Sequence, residues 1–272
     1  MAPATGVPQR FYAAFARWLA AEGYAVLTVD YRGLAQSRDA APERRPGASM
    51  RDWMQGDLPL ALRHVLARAA RGQSAGARLP TLWVGHSLGG HALTLQPQLG
   101  ELDAVLCVGA QLPAFVRWPG WWGRWGAALF FKHWLPAVVG TVGHLPSWAL
   151  GGGEALPAAA AMDWSRWGQM PNYFASDPAL ADAYVPERFR GVAHLYCVSD
   201  DWVFGPEPAV QALVDAFATA PGAASLLRIS PQQVGLAHLG HFAPFSRRAG
   251  ERLWPLMLRR LEAATPALQP RA

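Results

Sequence analysis

Cysteine is nearly absent: the 272 residues hold two, Cys107 and Cys197. Each lies inside an apolar run, so neither a disulfide framework nor a metal-binding cysteine cluster is expected; both read as small core residues suited to a reducing compartment. Charge is also sparse, at 16% against 51% hydrophobic residues, which excludes disorder for most of the chain and supplies ample material for a core. The net charge is +5, yet the arginines are scattered and no Lys/Arg block sits beside aromatic residues, so no nucleic-acid partner is expected. No apolar run reaches the roughly 18 residues of a membrane span. The nearest, Trp125 to Gly143, is broken by Lys132, His133 and Pro136. The stretch Met1 to Gly6 has neither the basic start nor the apolar core of an export signal, so a cytoplasmic protein is expected.

What is present is a rhythm of short apolar runs and amphipathic stretches. Phe11, Tyr12, Phe15, Trp18 and Leu19 recur at helical spacing between Gln9 and Glu22, with Gly23 at the C-terminal boundary. Tyr24 to Val29 then reads as a buried strand that delivers the polar loop Asp30-Tyr31-Arg32-Gly33, and residues 38–48 as a charged loop. Ser49 to Asp52 has the form of a capping box opening a helix that ends by Gly72, with Pro59 as a kink. Further strands are expected at Leu79–Val84, Ala104–Val108, Val192–Val198 and Ala224–Ile229, with helices around Val210–Phe217 and over Arg247–Ala263. This alternation predicts an α/β fold with a mostly parallel sheet flanked by helices on both faces. The stretch 112–188 breaks the rhythm. It carries eight of the 13 tryptophans and no clean strand, and is expected to form a cap over the C-terminal edge of the sheet. The core is then 1–111 with 189–265, and residues 266–272 are a tail.

The run Gly85-His86-Ser87-Leu88-Gly89-Gly90 follows an expected strand directly and precedes a helical stretch. A serine hydroxyl is a poor nucleophile at neutral pH. It needs a sharp turn to present it, a base beside it and donors for an oxyanion, and small flanking residues permit that turn. A histidine on a loop after the last strand would be the base, and Gly240-His241-Phe242 stands there; His238 is a competitor. His86 and His91 flank the serine and read as supporting or core residues. The acid that orients the histidine should follow an earlier strand, as Ser199-Asp200-Asp201-Trp202-Val203 does. Asp201 is favoured by its offset from Val203-Phe204, and Asp200 is the alternative. The resulting order, Ser87, Asp201, His241, is unlike those of chymotrypsin and subtilisin.

With these residues in place the chain resembles the α/β-hydrolase superfamily, and more closely its bacterial members related to lysophospholipases and serine aminopeptidases. The resemblance rests on Gly6 to Tyr12, Asp30 to Gly33, the Ser87 turn, the Asp201 turn and Gly240-His241-Phe242, and it spans almost the whole chain. It implies an esterase-type enzyme, with a catalytic triad of Ser87, Asp201 and His241 and an oxyanion hole from the amides of Leu88 and Thr5. It implies no metal, nucleotide or flavin cofactor; Gly151-Gly152-Gly153 lacks the strand and lysine of a phosphate loop. The superfamily's Asp-x-Arg-Gly-x-Gly-x-Ser becomes Asp30 to Ser37, with Ala35 in place of the second glycine. The strands that precede the oxyanion loop in the superfamily have no counterpart here, so Tyr24–Val29 and Leu79–Val84 are expected to lack their shared neighbour, and Met1 to be a misplaced start or a fragment's end. The tryptophans of the cap, among them Trp118, Trp121, Trp122 and Trp125, are expected to line an apolar acyl or aryl pocket, with a lipid surface as a further contact. A small apolar ester is the expected substrate, with thioester and amide as chemical neighbours. An incomplete, non-catalytic lipid-binding or interaction protein is the contrasting expectation. Neither oligomeric state nor acyl length is legible in the sequence.

Overall fold

The computed structural model describes residues 1–38, 47–72, 78–150 and 153–268. Most of the loop expected at 38–48, two of the three glycines at 151–153 and the end of the tail lie outside the described residues. Four parallel strands form the main sheet: β1 (Leu82–His86), β2 (Ala104–Val108), β3 (Val192–Val198) and β4 (Ala223–Ile229), in that spatial order. Leu82 pairs with Ala104, Ala104 with Val192 and Val192 with Ala223, so the strands start level. They also end nearly level, which brings the loops after His86, Val108, Val198 and Ile229 to one edge. Crevices at this edge are where open α/β sheets bind ligands.

Side chains alternate across the pleat, and both faces are covered. On one face Val84, Leu106, Val108, Tyr196 and Ile229 pack against Phe15 and Leu19 of α1 (Ala13–Ala21) and Leu253, Met257 and Leu261 of the last helix, Arg247–Ala264. On the other, Trp83, Val105, Cys107 and Leu195 meet Leu58, Leu62 and Leu66 of α2 (Leu58–Arg71) and Val210 and Leu213 of the helix Glu207–Asp215. Each fully buried Leu or Phe contributes roughly 1.5–3 kcal/mol, so the two clusters carry most of the driving force for folding.

Several expected elements are present with altered detail. The first helix opens as a 3-10 turn, Gln9–Tyr12, before α1, and Gly23 follows it with φ +93°. The Ser49 capping box is formed, with Ser49 and Asp52 each bonding the other's backbone. Pro59 falls in the first turn of α2, where a missing N–H is tolerated, and the irregularity is instead a π turn at Trp53–Asp57 just before it. The strand expected at Tyr24–Val29 is a correction, because the sheet begins at β1 and residues 24–29 pair in no ladder. The reason is the neighbour. Among the described residues it is Met1 to Pro3 that lie beside the free edge of β1: Ala2 donates to the Val84 carbonyl at 2.8 Å and accepts from the His86 amide at 3.1 Å, a single parallel bridge at Gly85. The Met1 nitrogen donates to Leu27 O, and a cavity of about 40 Å³ between Met1, Leu27, Leu62 and Leu82 fills the rest of that gap. One bridge cannot template a second strand.

The segment 112–188 is largely helical. After β2, α3 (Gly120–Leu129) runs through a π turn, Phe130–Trp134, into α4 (Leu135–Val142), and α5 (Ala158–Gly168) packs back on α4. A two-residue antiparallel pairing, His144–Leu145 with Leu156–Pro157, is its only strand among the described residues. Its buried residues Leu135, Leu145, Trp167 and Phe174 join the same cluster as the α2 face of the sheet, so it shares the protein's core. No described helix is long and apolar enough to cross a membrane. Pro266–Leu268 forms a last 3-10 turn that seats Leu268 in the core, which corrects the expectation of a loose tail from Pro266.

Candidate active site

Ser87 sits between β1 and a single helical turn, Leu88–His91, with φ +50° and ψ −116°. That backbone conformation is strained for any residue with a Cβ, and it turns the side chain off the strand end. The flanking glycines are required by contact. A Cβ on Gly85 would lie 2.5 Å from Gly90 Cα, and one on Gly89 would lie 2.1 Å from the Ala2 carbonyl oxygen.

The loop after β4 brings His241 to the same edge, and its Nδ1 lies 2.5 Å from Asp201 Oδ2. Both groups are buried. The carboxylate can only accept, so His241 Nδ1 carries a proton, and in the neutral ring Nε2 is the bare nitrogen. Asp201 is itself held by its Oδ1, which accepts from the Phe204 amide at 3.1 Å. The two adjacent carboxylates divide the work: Asp200 accepts from the amides of Leu239 and Gly240, each at 2.9 Å, and thereby ties down the loop that carries His241. His238 points out, its side chain 92% exposed and 3.9 Å from Asp200. Two glycines that the sequence did not single out make room. A Cβ on Gly109, where φ is +60°, would stand 2.8 Å from the His241 ring, and one on Gly205 would stand 2.5 Å from Asp201 Oδ2. Gly109 directly follows β2 at this edge of the sheet, and a glycine at a strand end is the signal that could have found it.

His86 is fully buried and ordered by a chain of hydrogen bonds whose directions can be assigned. Its Nε2 lies 3.0 Å from the His241 carbonyl, which only accepts, so Nε2 carries the proton. Nδ1 must then accept from the Tyr12 hydroxyl at 2.8 Å, and the Tyr12 oxygen accepts from the Ala4 amide at 2.9 Å. Burial, with His241 nearby, holds His86 well below the usual histidine range and therefore neutral, as this pattern demands. Burial also raises the Tyr12 phenol, which stays protonated. The chain links the Met1–Gly6 loop to the loop of His241.

This assignment bears on the oxyanion donors. The Ala4 amide is committed to Tyr12, and Gly89 N donates to Pro3 O at 3.1 Å. Among the described residues the amides of Leu88 and Thr5 donate to no protein acceptor. The family-like stretches supply the scaffold: Tyr31 donates to Pro3 O at 2.8 Å, and Gln9 binds Asp30 through both its amide and its side chain.

Ser87, His241, Thr5 and Ala4 open into one cavity of about 560 Å³. Trp118, Trp122, Phe130, Phe131, Trp164 and Phe242 give it an aromatic wall. Trp121 and Trp125, expected in that wall, are not part of it. They lie one turn apart on α3, while Trp122, Gly126 and Phe130, at helical spacing, line the cavity, Trp122 at its mouth with 66% of its surface exposed. Among the described residues no hydrogen bond joins Ser87 Oγ to His241. Such contacts tighten in the complex with substrate.

A strained serine at a strand end, an aspartate–histidine pair at the same sheet edge and a parallel sheet covered on both faces define an α/β-hydrolase. The family model of serine aminopeptidase, S33, matches residues 8–184, and the chain belongs to that family of α/β-hydrolase enzymes. No curated protein matches the chain. Among solved structures, a soluble variant of monoglyceride lipase from Saccharomyces cerevisiae is similar with a TM-score of 0.63 at 14% identity, over 97% of this chain and 85% of that one. Esterase B from Lactobacillus rhamnosis has a TM-score of 0.54 at 17% identity, over 96% and 74%. A hydrolase from Oleispira antarctica has a TM-score of 0.54 at 14% identity, over 96% and 89%. At these identities the likeness is one of fold.

Proposed function

We propose that the protein hydrolyses a carboxylic ester with an apolar acyl or aryl part through an acyl-enzyme on Ser87. The observation that carries this reading is the buried Asp201–His241 pair opening, with the strained Ser87, into one aromatic cavity. His241 Nε2 takes the Ser87 proton as Oγ attacks the carbonyl, and Asp201 keeps the ring in the tautomer that leaves Nε2 bare. The amides of Leu88 and Thr5 receive the negative charge of the tetrahedral intermediate, the alcohol leaves with the proton from His241, and water repeats the sequence to release the acid. Thioesters and amides are the neighbouring substrates for the same steps.

Residues 1–111 and 189–265 serve as the catalytic core in this reading, and residues 112–188 as a cap. The outer face of that cap, with Trp121, Trp125 and Leu129 exposed beside Arg124, is a contact for a lipid surface from which apolar esters are drawn. Co-sedimentation with phospholipid vesicles should fall when Trp121 and Trp125 are changed to serine, and unchanged sedimentation refutes the contact. Two free buried cysteines suit a cytoplasmic setting.

The test is labelling by a fluorophosphonate together with turnover of p-nitrophenyl esters of graded length. Ser87→Ala should abolish labelling, and Ser87→Ala and His241→Ala should each lower kcat at least about a thousandfold, Asp201→Asn less. Labelling that survives Ser87→Ala would overturn the assignment.

A further inference from the structure

The cavity beside Ser87 is aromatic over most of its wall, yet two buried polar residues also line it: His91, one helical turn past Ser87, and Gln111, just beyond β2. Among the described residues neither ring nitrogen of His91 makes a hydrogen bond of good geometry, although the Gln111 carbonyl lies near the ring, and Gln111 Oε1 has no partner. The Gln111 amide is not free to turn, because its Nε2 donates to the Phe204 carbonyl at 2.6 Å and leaves Oε1 as the unpartnered end. Other buried side-chain atoms lack partners, such as those of Thr81, His194 and Thr265, but they lie away from this cavity. An unpartnered buried polar atom costs roughly 1–3 kcal/mol, so two such residues on one wall are a substantial destabilisation for a purely structural role.

Tyr173 adds an independent observation. It lines the same cavity, its ring stands edge-on to His91 with centroids 5.4 Å apart, and its backbone has φ +55°. Three non-glycine residues have positive φ among the described residues, and two of them, Ser87 and Tyr173, line this cavity. Strain of about 1–3 kcal/mol of this kind persists where surrounding structure enforces it, and it collects at ligand sites.

Among the described residues no Asp, Glu, Lys or Arg lines the cavity. Burial lowers His91 to about 3, partly opposed by the nearby Gln111 carbonyl, so the ring is neutral and offers one N–H and one bare nitrogen. Gln111 Oε1 offers a second acceptor. A carboxylate would meet that oxygen with no cation to balance it, whereas a group with both a donor and an acceptor would satisfy the wall.

We propose that His91 and Gln111 form a polar subsite that hydrogen-bonds an uncharged amide in the part of the substrate filling the cavity. This rests on the ester-hydrolysis reading and narrows its substrate class to esters that are apolar along most of their length but carry one such group. Tyr173 positions His91 by packing against its ring.

The test compares acetamidoalkanoate p-nitrophenyl esters of graded length with their all-carbon isosteres, and a second series with the amide in the alcohol part. In one series, at a preferred length, the amide ester should be favoured roughly tenfold or more in kcat/KM. His91→Leu and the near-isosteric Gln111→Met should each bring that ratio to within about threefold of unity. A general packing defect would slow both esters together and leave the ratio unmoved. A wild-type enzyme that labels with fluorophosphonate and shows no amide preference at any length in either series overturns the subsite while the hydrolase reading stands. A preference retained in both variants overturns it equally. A folded wild type that neither labels nor turns over any ester overturns the hydrolase reading, and the subsite with it.

Discussion

Tyr12→Phe is the sharpest perturbation of the hydrogen-bond chain that joins the Met1–Gly6 loop, which carries the proposed oxyanion donor Thr5, to the His241 loop. It deletes one oxygen and leaves in place the ring, which packs edge-on to Phe11 and Phe245 at 5.1 and 5.2 Å between centroids. Two buried groups lose their partner at once, the Ala4 amide and His86 Nδ1. At roughly 1–3 kcal/mol for each unsatisfied group, the loss of stability should be about 2–6 kcal/mol. For a domain of this size 1 kcal/mol corresponds to about 2–4 °C, so Tm should fall by roughly 4–24 °C. The kinetic effect follows from the Thr5 amide, which adjoins Ala4. Removing one oxyanion donor outright costs about 10²–10³ in kcat, so loosening its loop should cost about 10–100-fold, with KM changed less than about threefold. Thermal denaturation and steady-state kinetics on a p-nitrophenyl ester measure both. A Tm within about 1 °C of wild type together with kcat within twofold would refute the assigned chain.

Acid stability offers a second check. His86 and His91 are both held neutral by burial, His91 down to about 3, whereas in the unfolded chain each titrates near 6.5. Below about pH 6.5 the unfolded state therefore binds more protons than the native one, and stability falls as pH falls, by about 1.4 kcal/mol per pH unit for each histidine. Urea unfolding from pH 7 to 4 should show this acid limb, to which the lowered His194 also adds, and His91→Leu should reduce its slope by about 1.4 kcal/mol per pH unit; an unchanged slope refutes the assignment. Ala35 provides a third: its φ of +43° places an alanine in left-handed backbone, where the superfamily has glycine. Relief of that strain, less the backbone entropy of glycine, should make Ala35→Gly more stable by about 0.5–1 kcal/mol in urea unfolding, and a destabilised variant would contradict it.

The Ser87 turn, the last two helices and all four strands of the main sheet, the first of them three residues later than expected, were legible because each depends on a local pattern, a glycine spacing or an apolar run of the right length. Tyr24–Val29 was not, since its apolar pattern suits a strand but a ladder needs a neighbour, and among the described residues it is Met1 to Pro3 that lie there. Trp121 and Trp125 were misplaced for a related reason. A tryptophan-rich stretch announces an aromatic surface, and the helical phase of α3 then decides which rings line the cavity.

By itself, the order of residues determined that a serine stands on a glycine-flanked turn after a buried strand, followed in the chain by an aspartate pair and a Gly-His-Phe loop. Bonding partners were decided by the tertiary structure. It put Asp201 on His241 and Asp200 on the loop backbone, turned His238 to solvent, and committed the Ala4 amide to Tyr12, while among the described residues the amides of Thr5 and Leu88 donate to no protein acceptor. It also placed His91, Gln111 and Tyr173 around one cavity, an arrangement drawn from distant parts of the chain. Local sequence governs backbone conformation over a few residues, whereas hydrogen bonds across the sheet edge depend on where four strand ends meet.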